Sequence, residues 1–518
     1  MATESGSVPH ELDPDAFREL GYRTIDVIAD YYDSLDDRPV YVQAAPEDVV
    51  AAFDEPLPES GVDPDRILDA IETDVIPYAT HNPSPRFFGF VMGGGQPIAT
   101  LADAVAAAVN MNVGGWHPAP SGTEVERTVV EWLADAIGYP TDAMGFLTSG
   151  GTMANVVAVL TAFRDHTNHE TRQMGLQGED RPTYTLYVAD HECHSSIYRA
   201  ADMLNLGRDA VRLVPSNDDF TMNVDALEAR LDADEADGDE PFCVVGQAGS
   251  INVSAIDPLE DIAAVCEARD VWFHVDGACG AVGAMLPELA DRYAGLDRAD
   301  SVTLDPHKWL NVPYECGAVL VDDQDALAET FAMHAAYLRG SVAETPAEFD
   351  YYEFGPQMSR GFRALKVWAT FKHLGVDGYR AHLRGGIARA EHLHERVRDH
   401  DDFETVQEPN LFIYSFRYAP ADVQAAFEAG RGDETHPGEP MDRVHEYVDR
   451  LNQALVDEVV DSGLAFLTTT LVHDRRTLRM SICNHRTTDD DIDAVFDALA
   501  DTGARLDADW RPEASLPL

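Results

Sequence analysis

The chain has 518 residues, too many for one small core, and its 45% hydrophobic content is too high for a largely disordered protein. Its 93 acidic and 37 basic residues give a net charge of −56, which argues strongly against nucleic acid or an anionic membrane as partner. The charge is spread along the chain, and only three of the 37 basic residues are lysine. Both facts favour a solvated surface adapted to concentrated salt over an acidic module that binds cationic partners.

Residues 14–36 read as an amphipathic helix, with Phe17, Leu20, Ile28, Tyr31 and Leu35 at three- and four-residue steps and Asp13-Pro14 as its start. Proline-rich stretches at 39–58 and 77–85 then break the chain into short pieces. The first 90 or so residues therefore have little core of their own and are expected to pack on something else, such as a second subunit. From about 100 to 325, short β-branched runs alternate with helical ones. Strands are expected at 145–148, 185–189, 211–214, 242–246, 271–275, 301–304 and 318–321, with helices at 151–164, 195–204, 224–231 and 258–269 between them. This alternation implies a mainly parallel sheet covered by helices on both faces. The acidic run 232–240 reads as a solvated loop and not as a metal site.

A helix is expected near 362–373, followed by a smaller α+β unit. Its strands are placed at 411–417, 465–471 and 477–483, its helices near 442–460 and 489–501, a surface loop at 428–440 and a frayed end over the last dozen residues. Three units follow, 1–95, 96–380 and 381–518. No CxxC pair is present among the six cysteines (193, 243, 266, 279, 316 and 483), which read as buried reduced thiols. With no apolar run near ~18 residues and no signal-like start, the expectation is a soluble cytoplasmic protein.

In an open parallel sheet, ligands bind beyond the carboxyl ends of the strands, so the residues following each strand carry the most information. After 145–148 comes Ser149-Gly150-Gly151-Thr152, opening a helix; free amides there suit a phosphate, although a plain glycine turn fits equally well. After 185–189 comes Cys193-His194-Ser195-Ser196, where His194 could stack on an aromatic ring or simply be a surface histidine. The strand 271–275 ends in Asp276-Gly277-Ala278, and a carboxylate at a buried strand tip calls for a partner. A pyridinium nitrogen would serve, as would a helix cap or a structural salt bridge. The strand 301–304 leads into Asp305-Pro306-His307-Lys308. A chain this poor in lysine that keeps one here needs a primary amine, because arginine cannot form a Schiff base. Pyridoxal phosphate is the commonest aldehyde cofactor that uses such an amine.

Together these residues carry a resemblance. The chain resembles the group II pyridoxal-phosphate-dependent amino-acid decarboxylases, which include the aromatic-L-amino-acid decarboxylases. The resemblance runs through RPVYV (38–42), NPSPRFFGF (82–90), PSGTEVE (120–126), TSGGTMAN (148–155) and HSS (194–196). It continues in HVDGA (274–278), DPHKW (305–309), SRGFRALKVW (359–368) and LRMSICNHRTT (478–488). It implies fold type I, with a seven-stranded, mainly parallel sheet and a smaller C-terminal α+β domain. It also implies a homodimer whose N-terminal segment wraps the partner and whose active site lies at the interface.

Position by position, the resemblance implies Lys308 as the Schiff-base lysine, Asp276 as partner of the pyridine nitrogen and His194 as the ring-stacking histidine. Gly151, Thr152 and His307 would hold the phosphate, Ala278 would join the cofactor site, and Tyr337 in HAAYLRG would return a proton to Cα. Phe90, Asn82 and Val91 fall where the family lines its substrate pocket. Asn82, Val91 and Gly114 replace aromatic residues there, and Ile251 replaces a polar residue near the cofactor. The implied reaction is decarboxylation of an L-amino acid, first of all an aromatic one (tyrosine, tryptophan or dihydroxyphenylalanine). Glutamate or 2,4-diaminobutyrate decarboxylation, another pyridoxal lyase or aminotransferase, and an aldehyde synthase remain as alternatives. Phenylalanine in place of Tyr337 would mark the last of these. Arg479 would hold a substrate carboxylate or a structural one. A non-enzymatic acidic interaction protein would bind no cofactor.

Overall fold

The computed structural model describes residues 11–177, 181–190, 193–333, 349–431 and 439–514. Seven strands form the main sheet: β1 (Met144–Thr148), β2 (Tyr184–Ala189), β3 (Val211–Val214), β4 (Glu240–Gln247), β5 (Trp272–Asp276), β6 (Ser301–Leu304) and β7 (Gly317–Val321). Their order is β1-β7-β6-β5-β4-β2-β3. Strands β3, β2, β4, β5 and β6 pair in parallel, while β7 runs antiparallel to both β6 and β1. Every residue of β2, β6 and β7 is buried. That is the consequence of helices covering both faces, and it explains why these strands read as continuous apolar runs. All seven expected strands are present, as is the fold class.

The register of β7 builds the site. Its first residue, Gly317, pairs with Thr148 at the end of β1, and Ala318 pairs with Leu304 at the end of β6. The exits of β1 and β6 are thereby brought side by side across the start of β7. A Cβ at Gly317 would lie 2.5 Å from the carbonyl carbon of Gly150 and 2.7 Å from Asp305 Oδ1, so only glycine admits this approach.

A second sheet of β8 (Phe403–Thr405), β9 (Ile413–Tyr418), β10 (Thr468–Val472) and β11 (Arg475–Ser481) is antiparallel in the order β10-β11-β9-β8. Helices Ala364–Arg398, Glu439–Asp461 and Asp489–Ala514 accompany it. Strand β8 is absent from the sequence expectation, since three residues are too few to show an alternation. The helix expected near 362–373 continues to Arg398, interrupted at Gly375 with φ 62° and ψ 177°, a conformation glycine tolerates.

Three other expectations need correction. The acidic run is not a loop: Asp232 to Asp237 complete helix Val224–Asp237, Gly238 (φ 88°) caps it, and Glu240 begins β4. Arginines hold this run in place, Arg269 at 2.7 Å from Asp232 and Arg212 at 2.6 Å from Asp239. The frayed end expected over the last dozen residues is helical as far as Ala514, and 515–518 lie outside the described residues. This last helix is secured by Arg511 to Asp422 (2.6 Å) and by the Tyr447 hydroxyl donating to Asp507 (2.7 Å). The loop expected over 428–440 is helical through Arg431 and again from Glu439, and 432–438 lie outside the described residues.

Helix Pro14–Asp33 forms as expected, with Pro14 in its first turn and the Asp13 carboxylate accepting from the amides of Asp15 and Ala16. It buries no residue, leaving Phe17 65% and Tyr22 67% exposed. Residues 87–91 instead join the second sheet: Phe88 N donates to Phe466 O (2.6 Å) and Ser481 N to Phe88 O (2.9 Å). That contact carries Phe90 to the site.

Candidate active site

The exits of β1, β5 and β6 open onto a cavity of about 640 Å³, within the usual size range of small-molecule sites. From β1 comes the turn Ser149-Gly150. Gly150 has φ 140°, outside the reach of other residues, and helix Gly151–His166 then starts with no side-chain cap on its first amides. A Cβ at Gly151 would lie 2.6 Å from Asp305 Oδ2, so the helix start presents bare backbone to the cavity. Thr152 lines the cavity beside it.

From β6 come Asp305, His307 and Lys308. Lys308 Nζ lies 2.9 Å from Asp305 Oδ2 and donates to Cys279 Sγ at 3.6 Å. Burial alone would lower the Lys308 pKa, but Cys279, Asp305 and Asp276 more than reverse this and leave it above the ordinary lysine value. Burial also raises the Cys279 thiol, so the two carboxylates supply the lasting negative charge. His307 Nδ1 donates to the Cys316 carbonyl at 2.6 Å, and its ring sits 4.3 Å from that of Tyr314. Burial lowers the His307 pKa against the pull of Asp305, so the ring is neutral near pH 7.

From β5 come Asp276 and Ala278. Asp276 Oδ2 accepts from Asn155 Nδ2 (2.8 Å) and Oδ1 from the Ala278 amide (3.2 Å). His194 caps helix Ser195–Met203, its Nδ1 lying 2.7 Å from Ser196 Oγ. Burial depresses the His194 pKa, with Asp276 opposing.

The rest of the wall includes Phe90, Val91, Ile251, Asn252, Thr470 and Arg479. Arg479 Nη1 donates to Phe90 O (2.9 Å), and Nε donates to Ile251 O (3.1 Å). Arg479 thus ties two separate stretches of wall together through their carbonyls.

The structure brings Lys308, Asp276, His194, Gly151, Thr152, His307, Ala278, Phe90 and Val91 to one cavity. Asn82 is not among the described residues that line the cavity, and its carbonyl accepts from Asn484 Nδ2. The chain there follows the β-bridge of Phe87 to the second sheet, which directs Phe90 and Val91 inward and leaves Asn82 behind. Tyr337 lies outside the described residues. Sequence reasoning missed Asn155, Tyr314 and Cys279. Asn155 had a signal, being one helical turn beyond Gly151 and so on the same face. Tyr314 had none.

Residues 46–419 match the family described as "Pyridoxal-dependent decarboxylase conserved domain". The chain belongs to this family. It is 31% identical to the aromatic-L-amino-acid decarboxylase of Bacillus atrophaeus over 93% of this chain and 94% of that one. Among solved structures it is similar to Oryza sativa TDC with pyridoxal phosphate and tryptamine (TM-score 0.85, 25% identity, 96% of this chain and 100% of that one). It is also similar to mouse CSAD (TM-score 0.86, 26% identity, 95% and 99%).

The chain is a pyridoxal-phosphate-dependent carboxy-lyase of amino-acid metabolism. Its cavity fits that cofactor. The uncapped helix start with bare glycine backbone suits a phosphate, Lys308 supplies a primary amine, and the Asp276 carboxylate at the tip of β5 suits a cationic ring nitrogen.

Proposed function

We propose that this decarboxylase acts on an aromatic L-amino acid, releasing carbon dioxide and the corresponding amine. The observation that carries the site assignment is the convergence of Lys308, Asp276 and the Gly150-Gly151 turn, from three strand exits, on one cavity. Pyridoxal phosphate supplies an electron sink for the pair left behind when a Cα–carboxylate bond breaks. Lys308 Nζ is the primary amine that would hold the cofactor through its aldehyde carbon. Asp305 Oδ2, 2.9 Å from Nζ, favours the protonated amine and holds it in place in the cavity. Asp276 would keep a proton on the ring nitrogen, His194 would face the ring with Ala278 nearby, and Gly151, Thr152 and His307 would hold the phosphate. Tyr337 delivers a proton to Cα after carbon dioxide leaves.

The aromatic substrate is supported by the relative from Bacillus atrophaeus and by the apolar part of the wall, Phe90, Val91 and Ile251, with Tyr314. A second reading, an acidic substrate such as glutamate, is favoured by the polar part, Arg479, Asn252 and Thr470. Homodimerisation is supported by the exposed apolar side chains of the N-terminal segment, Phe17, Tyr22, Val50 and Phe53 among them. Net charge −56 supports work in a salt-rich cytoplasm, and no described helix is long and apolar enough to cross a membrane. The three units 1–95, 96–380 and 381–518 remain the proposed division of labour.

The test is mass spectrometry of products from the protein with pyridoxal phosphate in concentrated potassium chloride. The substrates are the twenty amino acids, dihydroxyphenylalanine and 2,4-diaminobutyrate, each incubated separately. Amine from tyrosine, tryptophan or dihydroxyphenylalanine supports the proposal. Amine from glutamate alone selects the second reading, and amine from diaminobutyrate alone contradicts both.

A further inference from the structure

Behind Asp276 lies a hydrogen-bonded chain whose direction can be worked out atom by atom. Trp272 Nε1 can only donate, and it does so to Ser301 Oγ at 2.9 Å. Ser301 Oγ also lies 2.9 Å from His274 Nδ1, and His274 Nε2 lies 3.1 Å from Asn155 Oδ1. Asn155 Nδ2 is 2.8 Å from Asp276 Oδ2 and 2.8 Å from Ser196 Oγ. Ser196 Oγ is 2.7 Å from His194 Nδ1. Ser301, His274, Asn155 and Ser196 are each no more than 1% exposed, so bulk water cannot satisfy them in place of one another.

The carboxylate decides the direction. An ionised Asp276 only accepts, so the Asn155 NH₂ must face it; the flipped amide would set a carbonyl oxygen against the carboxylate. With both Nδ2 protons given to Asp276 and Ser196, Asn155 Oδ1 must accept, and His274 must carry its proton on Nε2. Burial pushes His274 down to about 4, so it is neutral and its Nδ1 is free to accept from Ser301. Ser301 in turn receives the Trp272 N–H. At the other end, the Ser196 hydroxyl has only its own proton to give, and it gives it to His194 Nδ1.

We propose that Asn155 is a positioning residue. It orients Asp276 and, through Ser196, fixes the proton of neutral His194 on Nε2, so that both groups are set in one state before any ligand arrives. Neither the strand-exit motifs nor the family description assigns it this role. The geometry spans three elements: Trp272, His274 and Asp276 alternate along one face of β5, Ser301 opens β6, and Asn155 sits in the second turn of helix Gly151–His166. The charged groups that act on His194 are Asp276, Asp305, Lys308 and Arg199. Asn155 is the neutral group that links it to Asp276. What the chain serves rests on the cofactor reading above, whereas its direction does not.

The experiment therefore has two arms. In the first, the apoenzyme labelled with ¹⁵N-histidine, and assigned with His194→Gln, is examined by NMR. A protonated Nε2 and bare Nδ1 at His194 are expected, and a protonated Nδ1 would overturn the chain even if the protein binds pyridoxal phosphate normally. The second arm titrates pyridoxal phosphate into apoenzymes of Asn155→Asp and Asn155→Ala and follows the absorption of the bound cofactor against pH. Aspartate keeps the shape but faces a carboxylate with a carboxylate. The proposal expects it to weaken cofactor binding about tenfold or more, and more than alanine does, with absorption that changes with pH near neutrality. If Asn155 merely fills space, alanine is the worse variant and the aspartate spectrum stays as in the parent; that order overturns the role. Absence of any cofactor binding by the parent protein would instead sink the cofactor reading and leave the first arm standing.

Discussion

One part of the cavity wall is built from the exits of β1, β5 and β6, and each exit delivers its reactive group within a few residues of the strand end. Another part gathers Phe90, Ile251, Thr470 and Arg479 from three separate stretches, the last two lying on the paired strands β10 and β11, joined by donation from Arg479 to the carbonyls of Phe90 and Ile251. The first part inherits the rigidity of a sheet buried on both faces. The second depends on how the second sheet and the segment before Phe90 dock against it. The difference teaches that the strand-exit groups and the wall tied by Arg479 are held by separate structural devices, so one can vary while the other stays fixed.

Replacing Lys308 with alanine is the most severe way to break the first part. Activity is expected to fall by about 10³-fold or more, with loss of the visible absorption of the bound cofactor. Amine release and the absorption spectrum check this. Asp276→Asn keeps the shape and removes the charge; kcat is expected to fall by about 10²–10³-fold, measured at saturating pyridoxal phosphate.

Arg479→Met sharpens the comparison, because it cuts the tether between Phe90 and Ile251 without touching a strand exit. KM for the preferred amino acid is expected to rise about tenfold while kcat changes about threefold or less. Equal losses in kcat and kcat/KM would move Arg479 into the bond-breaking part of the wall.

A further expected effect is on stability against pH. Burial holds His274 and His382 down to about 4. The unfolded chain takes up protons below about pH 6.5, but these two sites in the folded protein do not until about pH 4. Their contribution is therefore intact above the unfolded value, is lost as pH falls towards about 4, and levels off below it. The slope is at most about 1.4 kcal/mol per histidine per pH unit. Melting temperatures across this range at constant high salt check it, and a flat profile would contradict it.

The same division governs how much could be read from sequence. Strands β1 to β7 were legible because they are short, largely apolar runs bounded by turns, and Lys308 and Asp276 because each lies at or just beyond the end of such a strand. Strand β8 was too short to show a period. The acidic run 232–240 looked like loop because its composition hid the arginines, Arg212 and Arg269, that pin it. Tyr314 was overlooked for a related reason: its place in the wall does not follow from local pattern, only from how distant segments dock. The Asn155 chain was half legible, since Asn155 lies one turn beyond Gly151 and His274 two residues before Asp276. Its direction needed the distances to Ser301 and Ser196.

The most direct test of the central claim is turnover in D₂O of whichever aromatic amino acid is consumed, with the product analysed by mass spectrometry and proton NMR. Decarboxylation at this cavity predicts an amine lighter than its substrate by one carbon dioxide and carrying a single deuterium at Cα, with none formed by Lys308→Ala. A keto acid or an aldehyde as the product, or amine formation that survives Lys308→Ala, would contradict the account.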